Sequence, residues 1–233
     1  MASEKQKKYT LEVCTASLNS VMHAVAGGAE RVELCSALSL DGLTPSVGLL
    51  ATIRKMYPQL KIHVLVRPRE GNFVYTEEEL RVMERDIEAA LPYADAIVSG
   101  ALDAQGNIDV AATRRLMAAS QGKPFTFHRA FDVCNDAQKA LNQLMEMGCA
   151  RLLTSGLKPT AEEGSALIRK LVERAGNRLI VMPGGGVNPD NARCILEATG
   201  AKEIHSSASS LHDNGLKETS ATIVRSLLEN IRI

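Results

Sequence analysis

The sequence has no tryptophan, and aromatic residues fill only 3% of its 233 positions. Stacking platforms for bases or sugars are therefore not its main device. No charge is in excess: 27 Lys and Arg balance 27 Asp and Glu, for a formal net charge of zero. That removes the general electrostatic reason to bind nucleic acid or an anionic membrane. The five cysteines are odd in number and include no Cys-x-x-Cys pair. They exclude a disulfide scaffold and predict a reducing compartment. No apolar run approaches the roughly 20 residues that span a bilayer. The opening MASEKQKKYT is charged and lacks the apolar core of a secretory signal. The expectation is a cytoplasmic protein with a loose tail over residues 1–8. There is no His-Glu-x-x-His, no Walker loop and no Gly-x-Ser-x-Gly.

What is present is alternation. Short apolar runs at 10–14, 31–35, 61–67, 95–99, 124–128, 151–154, 179–182 and 203–206 read as strands. Segments of helical period follow near 17–26, 46–57, 76–91, 109–120, 136–147, 160–175, 189–199 and 217–230. Ser46, Thr76 and Asn188-Pro189 supply helix starts, and Gly27-Gly28, Gly148 and Gly200 supply stops. Eight units at about 28 residues each predict one closed (β/α)₈ TIM barrel over 9–233, an α/β fold with a parallel sheet. An open doubly wound sheet is the alternative.

Parity then sorts the strand side chains. In a barrel wrapped by helices the apolar parity faces outward, so the other parity faces in. This places Glu12 and Cys14 inside, then Arg31, Glu33 and Cys35, then His63 and Arg67. Thr126, His128, Glu203, His205 and Ser207 follow. Strands four, six and seven are too apolar to decide. Inward positions of such barrels are normally bulky and aliphatic. Charges there must pair or serve chemistry. One reading is a structural network in which Arg67 neutralises Glu12 and Glu33. The other is an active mouth at the strand C-termini, where these barrels act.

For an enzyme, the mouth predicts acid–base chemistry on a small anionic or phosphorylated substrate, by a lyase, isomerase or hydrolase. His128 is the acid/base candidate, Glu33 its partner and Asp132 its orienter. Glu12, Arg67, His205, Thr154, Ser155, Ser206 and Ser207 would bind substrate. Gly184, Gly185 and Gly186 would cradle an anion with backbone N–H groups, as loops after strands seven and eight do in this fold. The alternative for the triplet is a tight turn. No lysine ends a strand, which disfavours a Schiff-base aldolase. The triplet lacks the GxGxxG pattern of a dinucleotide site. His63 is expected deeper in the barrel, and His23 and His212 on the surface.

These residues resemble the CutC family, named for copper homeostasis. The matching stretches are Leu-Glu-Val-Cys at 11–14, Gly-Ala-Glu-Arg-Val-Glu-Leu-Cys at 28–35, Gly-Leu-Thr-Pro-Ser at 42–46 and Arg-Pro-Arg at 67–69. Thr-Phe-His-Arg-Ala-Phe-Asp at 126–132, Leu-Thr-Ser-Gly at 153–156, Met-Pro-Gly-Gly-Gly at 182–186 and Ile-His-Ser-Ser at 204–207 continue it. The resemblance implies a (β/α)₈ barrel, a cytoplasmic location, a homo-oligomer (dimer or tetramer) and copper handling. It implies Cu(I) bound by Cys14 and Cys35. Two departures stand out: Glu70 replaces a family glycine, and the segment after Ser207 is short.

Cu(I) is soft and favours thiolates. Adjacent strands lie about 4.8 Å apart, so Cys14 and Cys35 are placed to share an ion. Otherwise they are two buried thiols. A third reading gives Glu12, Glu33, His128 and His205 to a harder divalent ion. Cys134, Cys149 and Cys194 read as packing residues.

Overall fold

The computed structural model describes residues 9–211 and 217–232. The tail at 1–8 and His212 lie outside them. The barrel strands are β1 (Thr10–Thr15), β2 (Arg31–Leu34), β3 (Lys61–Leu65), β4 (Ala96–Ser99), β5 (Phe125–Phe127), β6 (Arg151–Thr154), β7 (Ile180–Pro183) and β8 (Glu203–Ser206). All neighbours are parallel, in the order β7-β6-β5-β4-β3-β2-β1-β8. A single parallel bridge between Gly184 and His205 joins β7 to β8 and closes the ring. The structure is a (β/α)₈ barrel.

The outer helices are α1 (Leu18–Ala26), α2 (Val47–Met56), α3 (Glu77–Ala90), α4 (Val110–Ala119), α5 (Ala137–Met147), α6 (Ser165–Ala175), α7 (Ala192–Thr199) and α8 (Ala221–Arg232). Their starts are chemical. Ser17, Ser46, Asp109 and Asp136 each accept a backbone N–H of the first turn, and Thr76 forms a full capping box with Glu79. Gly148 (φ +83°) and Gly200 (φ +72°) end α5 and α7 in the left-handed region.

Three boundaries differ from the sequence expectation. Asn188 does not start α7: its Oδ1 accepts from the N–H of Asp190 and Asn191, holding a turn, and the helix begins at Ala192. α6 begins at Ser165 because residues 160–164 form turns. Residues 217–219 are not helical. They form β10 (Lys217–Thr219), antiparallel to β9 (Ser209–Leu211). Thr219 is buried there, its Oγ1 donating to the Ser207 carbonyl.

Two apolar cores result. Leu11, Val13, Val32, Leu34, Val64 and Val66 face the helices in one large core. Inside the barrel a small separate cluster joins Cys14, Cys35, Leu65 and Val98. Parity therefore reads as expected, and the undecided strands resolve. Val98, Arg151 and Met182 point inward, the last two toward Glu203 and Arg31. Cys134 and Cys149 are buried, whereas Cys194 is exposed. The stripe Ala192, Ile195, Leu196 and Thr199 buries the other face of α7. The expectation that Cys194 packs is corrected on that ground. His23 is half-buried, its Nδ1 2.9 Å from the Thr219 carbonyl, which ties α1 to β10.

Candidate functional site: a thiol pair beneath an open barrel mouth

The floor comes first. Register sets Glu12 opposite His205, and Val13 opposite Val32, so Glu12, Arg31 and His205 share a level. Glu12 has no exposed surface. Its carboxylate lies 3.0 Å from Arg31 Nε, 2.6 Å from His63 Nδ1 and 2.9 Å from His205 Nδ1. Burial opposes its ionisation, but the bonds to His205 and His63 and the Arg31 charge hold its pKa well below the carboxylate range. Arg31 also reaches Glu203 at 2.5 Å, and Arg151 Nε meets Glu203 at 2.8 Å. Glu12 is thus a floor residue that does not line the open mouth, and its cation is Arg31, not Arg67. His63 is structural, as its depth suggests.

This network has a pH signature. Burial resists ionisation of Glu203 too, yet Arg151 and Arg31 keep its pKa below the usual value. Groups with depressed folded-state pKa contribute fully above the unfolded value, about 4.3 for Glu. The contribution is lost as pH falls through the lower folded value. Urea unfolding should therefore show stability dropping below about pH 4.3. A flat profile from pH 6 to 3 would contradict the network.

Above the floor sit the thiols. Cys14 Sγ and Cys35 Sγ are 3.9 Å apart, both buried. The Cys14 thiol donates to Glu33 Oε1 at 3.5 Å, and the Cys35 thiol to the Thr15 carbonyl at 3.5 Å. Cys35 and burial push the Cys14 pKa well above that of a free thiol. Burial also raises the Glu33 pKa. His205 is raised despite burial, because Glu33 and Glu12 favour its cation. Cys14, Glu33 and His205 bring one ligand atom each within 4.8 Å of one another. The four-residue oxygen and nitrogen set does not assemble: Glu12 is held in the floor and His128 lies outside that group.

The mouth itself is a cavity of about 600 Å³ reaching Cys14, Glu33, Arg67, His128, Asp132 and His205. Asp132 does not orient His128. It accepts from Thr154 Oγ1 (2.5 Å), Ser155 N and Oγ, Leu157 N and Arg129 Nε, so Thr154 and Ser155 serve to hold it. The short 3₁₀ turn Arg129–Val133 delivers it. His128 Nδ1 instead accepts the Ala130 N–H at 3.2 Å. Among the described residues no hydrogen bond joins His128 to Glu33. Burial and the nearby Arg67 lower the His128 pKa to about 3. A ring that stays neutral and carries its proton on Nε2 is a donor, not a general base.

The glycine triplet has packing reasons of its own. A Cβ on Gly184 would lie 2.5 Å from Leu153 Cδ1, and one on Gly186 2.9 Å from Thr160 Cγ2. Gly185 and Gly186 also take φ of +104° and +72°. Ser206 Oγ donates to the Val187 carbonyl, and Ser207 Oγ pairs with Ser209 Oγ. Arg31 is the residue that sequence reasoning left without a role. Its inward parity was visible, but its level was not.

Comparison with known proteins places the sequence in one family. The model of the CutC family matches residues 9–210. A family protein CutC from Bacteroides thetaiotaomicron is 48% identical over 203 residues, covering 87% of this chain and 82% of that protein. The human copper homeostasis protein cutC homolog is 44% identical over 216 residues, covering 92% and 79%. A crystal structure of a copper homeostasis protein CutC from Streptococcus agalactiae superposes with a TM-score of 0.82 at 37% identity, covering 85% of this chain and 98% of that one. No helix among the described residues is long and apolar enough to cross a membrane. The chain belongs to the CutC family of copper homeostasis proteins.

Proposed function

We propose that this protein binds Cu(I) in the cytoplasm through Cys14 and Cys35, as a homo-oligomer. One observation carries the copper reading: two buried thiols face each other at 3.9 Å in a small apolar shell of Leu65 and Val98. Thiolates select a soft monovalent ion. A linear S–metal–S unit with bonds near the 2.3 Å of zinc thiolates spans about 4.6 Å. The sulfurs need only separate by about 0.7 Å to reach that span, a small side-chain rotation. The apolar shell covers one side of the pair, and Cys14 faces Glu33 and the open cavity on the other.

The test is an anaerobic titration of the reduced protein with Cu(I) against a competing chelator. Cys14→Ala and Cys35→Ala should each weaken binding at least about 100-fold, as loss of one of two ligands requires. Unchanged affinity in both variants would refute the clamp. Sedimentation of the apo and copper-loaded forms reads the assembly state in the same samples.

A further inference from the structure

We propose that the barrel mouth binds a small organic oxyanion, a carboxylate or phosphate, anchored by Arg67 and the Nε2–H of His128. The site is separate from the thiol clamp, although both open into the same cavity. A space of about 600 Å³ far exceeds the needs of a lone metal ion. It falls in the range of small-molecule pockets.

Arg67 supplies the charge. Its side chain is buried, and its Nη atoms donate to the carbonyls of Leu40, Gly42 and Gly71. None of those partners is a carboxylate, and Nε has no acceptor among the described residues. A buried guanidinium tied only to neutral oxygens keeps its full charge and calls for an anion. The Phe73 ring, 5.0 Å from it, fixes its plane.

His128 supplies a directed donor. The Ala130 N–H occupies Nδ1, so the proton sits on Nε2. His128 is only 5% exposed and lines the cavity, and its buried Nε2 has no partner among the described residues. An orphaned buried N–H is rare in a folded protein and calls for a partner that the protein itself does not supply. The ring is held by Phe73 and Phe127 at 5.0 and 6.0 Å. Gly100 permits this placement, since a Cβ there would lie 2.8 Å from Nδ1. Asp132 does not oppose an anion strongly: Thr154 Oγ1, Ser155 N and Oγ, and Leu157 N donate to it, and it pairs with Arg129. The anchor lies at the ends of β3 and β5, and the glycine loop follows β7, two strands beyond β5.

Calorimetry with sulfate, glycerol 3-phosphate and succinate, with glycerol as neutral control, tests the site. At least one anion should bind saturably and glycerol should not. The phosphate ester and dicarboxylate arms show which oxyanion is preferred. His128→Phe keeps the ring and removes the donor, so it should weaken that anion about tenfold. Arg67→Met should abolish that binding, and if it fails to fold, Arg67→Lys, which keeps the charge, should retain weaker binding. Cu(I) affinity should be unchanged in His128→Phe, which separates this site from the clamp. Absence of saturable binding by all three anions, or equal affinity in His128→Phe, would overturn the proposal.

Discussion

Arg31→Met should destabilise the protein by about 3–5 kcal/mol, the cost of stranding a buried charge partner. For a chain of this size that lowers Tm by roughly 6–20 °C. Arg31 is buried between two carboxylates, 3.0 Å from Glu12 and 2.5 Å from Glu203. Methionine keeps an unbranched apolar stem and removes the charge. Glu203 would keep Arg151, but Glu12, with no exposed surface, would keep only histidines. The comparison is Arg81→Ala on α3. That exposed pair with Glu77 should change stability by at most about 1 kcal/mol. Urea midpoints measure both. A midpoint for Arg31→Met equal to wild type would show that Glu12 is not held by that cation. Because Glu12 also holds His205, loosening the floor should propagate upward to the group facing the thiols.

The contrast between these two arginines marks what the sequence can convey. Parity comes from apolar alternation, so Glu12, Arg31, Glu33, His128 and His205 were all legible as inward residues. Level does not. Which inward side chains meet depends on the stagger between strands, and that is visible only in register such as Glu12 opposite His205. Arg67 lies two inward positions beyond His63. Its guanidinium therefore meets loop carbonyls at 40–42, not the Glu12 floor. His128 shows a second limit. Its type suggests a base, but a backbone N–H two residues on fixes its tautomer and makes it a donor. The Cys14–Cys35 approach was legible because both ends of adjacent strands share a parity. The extra strand pair at 209–211 and 217–219 was not, since three-residue strands carry no usable period.

Cu(I) affinity should rise with pH, at least about tenfold per unit between pH 6 and 8. Binding as a thiolate displaces the Cys14 proton, and that thiol stays protonated through this range because Cys35 and burial raise its pKa. Each further proton displaced adds another tenfold per unit. Glu33→Gln then separates two ligand sets. In a two-thiolate clamp Glu33 is a bystander 3.5 Å from Cys14 whose negative charge disfavours the thiolate. Glutamine removes that charge, so Cu(I) should bind more tightly. If the ion were held by Cys14, Glu33 and His205 instead, Glu33→Gln would remove a ligand and weaken binding at every pH. Zn(II), which accepts such mixed sulfur, nitrogen and oxygen sets, is the natural second probe. Tighter Cu(I) alongside weaker Zn(II) in the same variant would assign the thiols to copper and the mixed set to harder ions. Weaker Cu(I) binding in Glu33→Gln across the whole range would exclude the simple clamp.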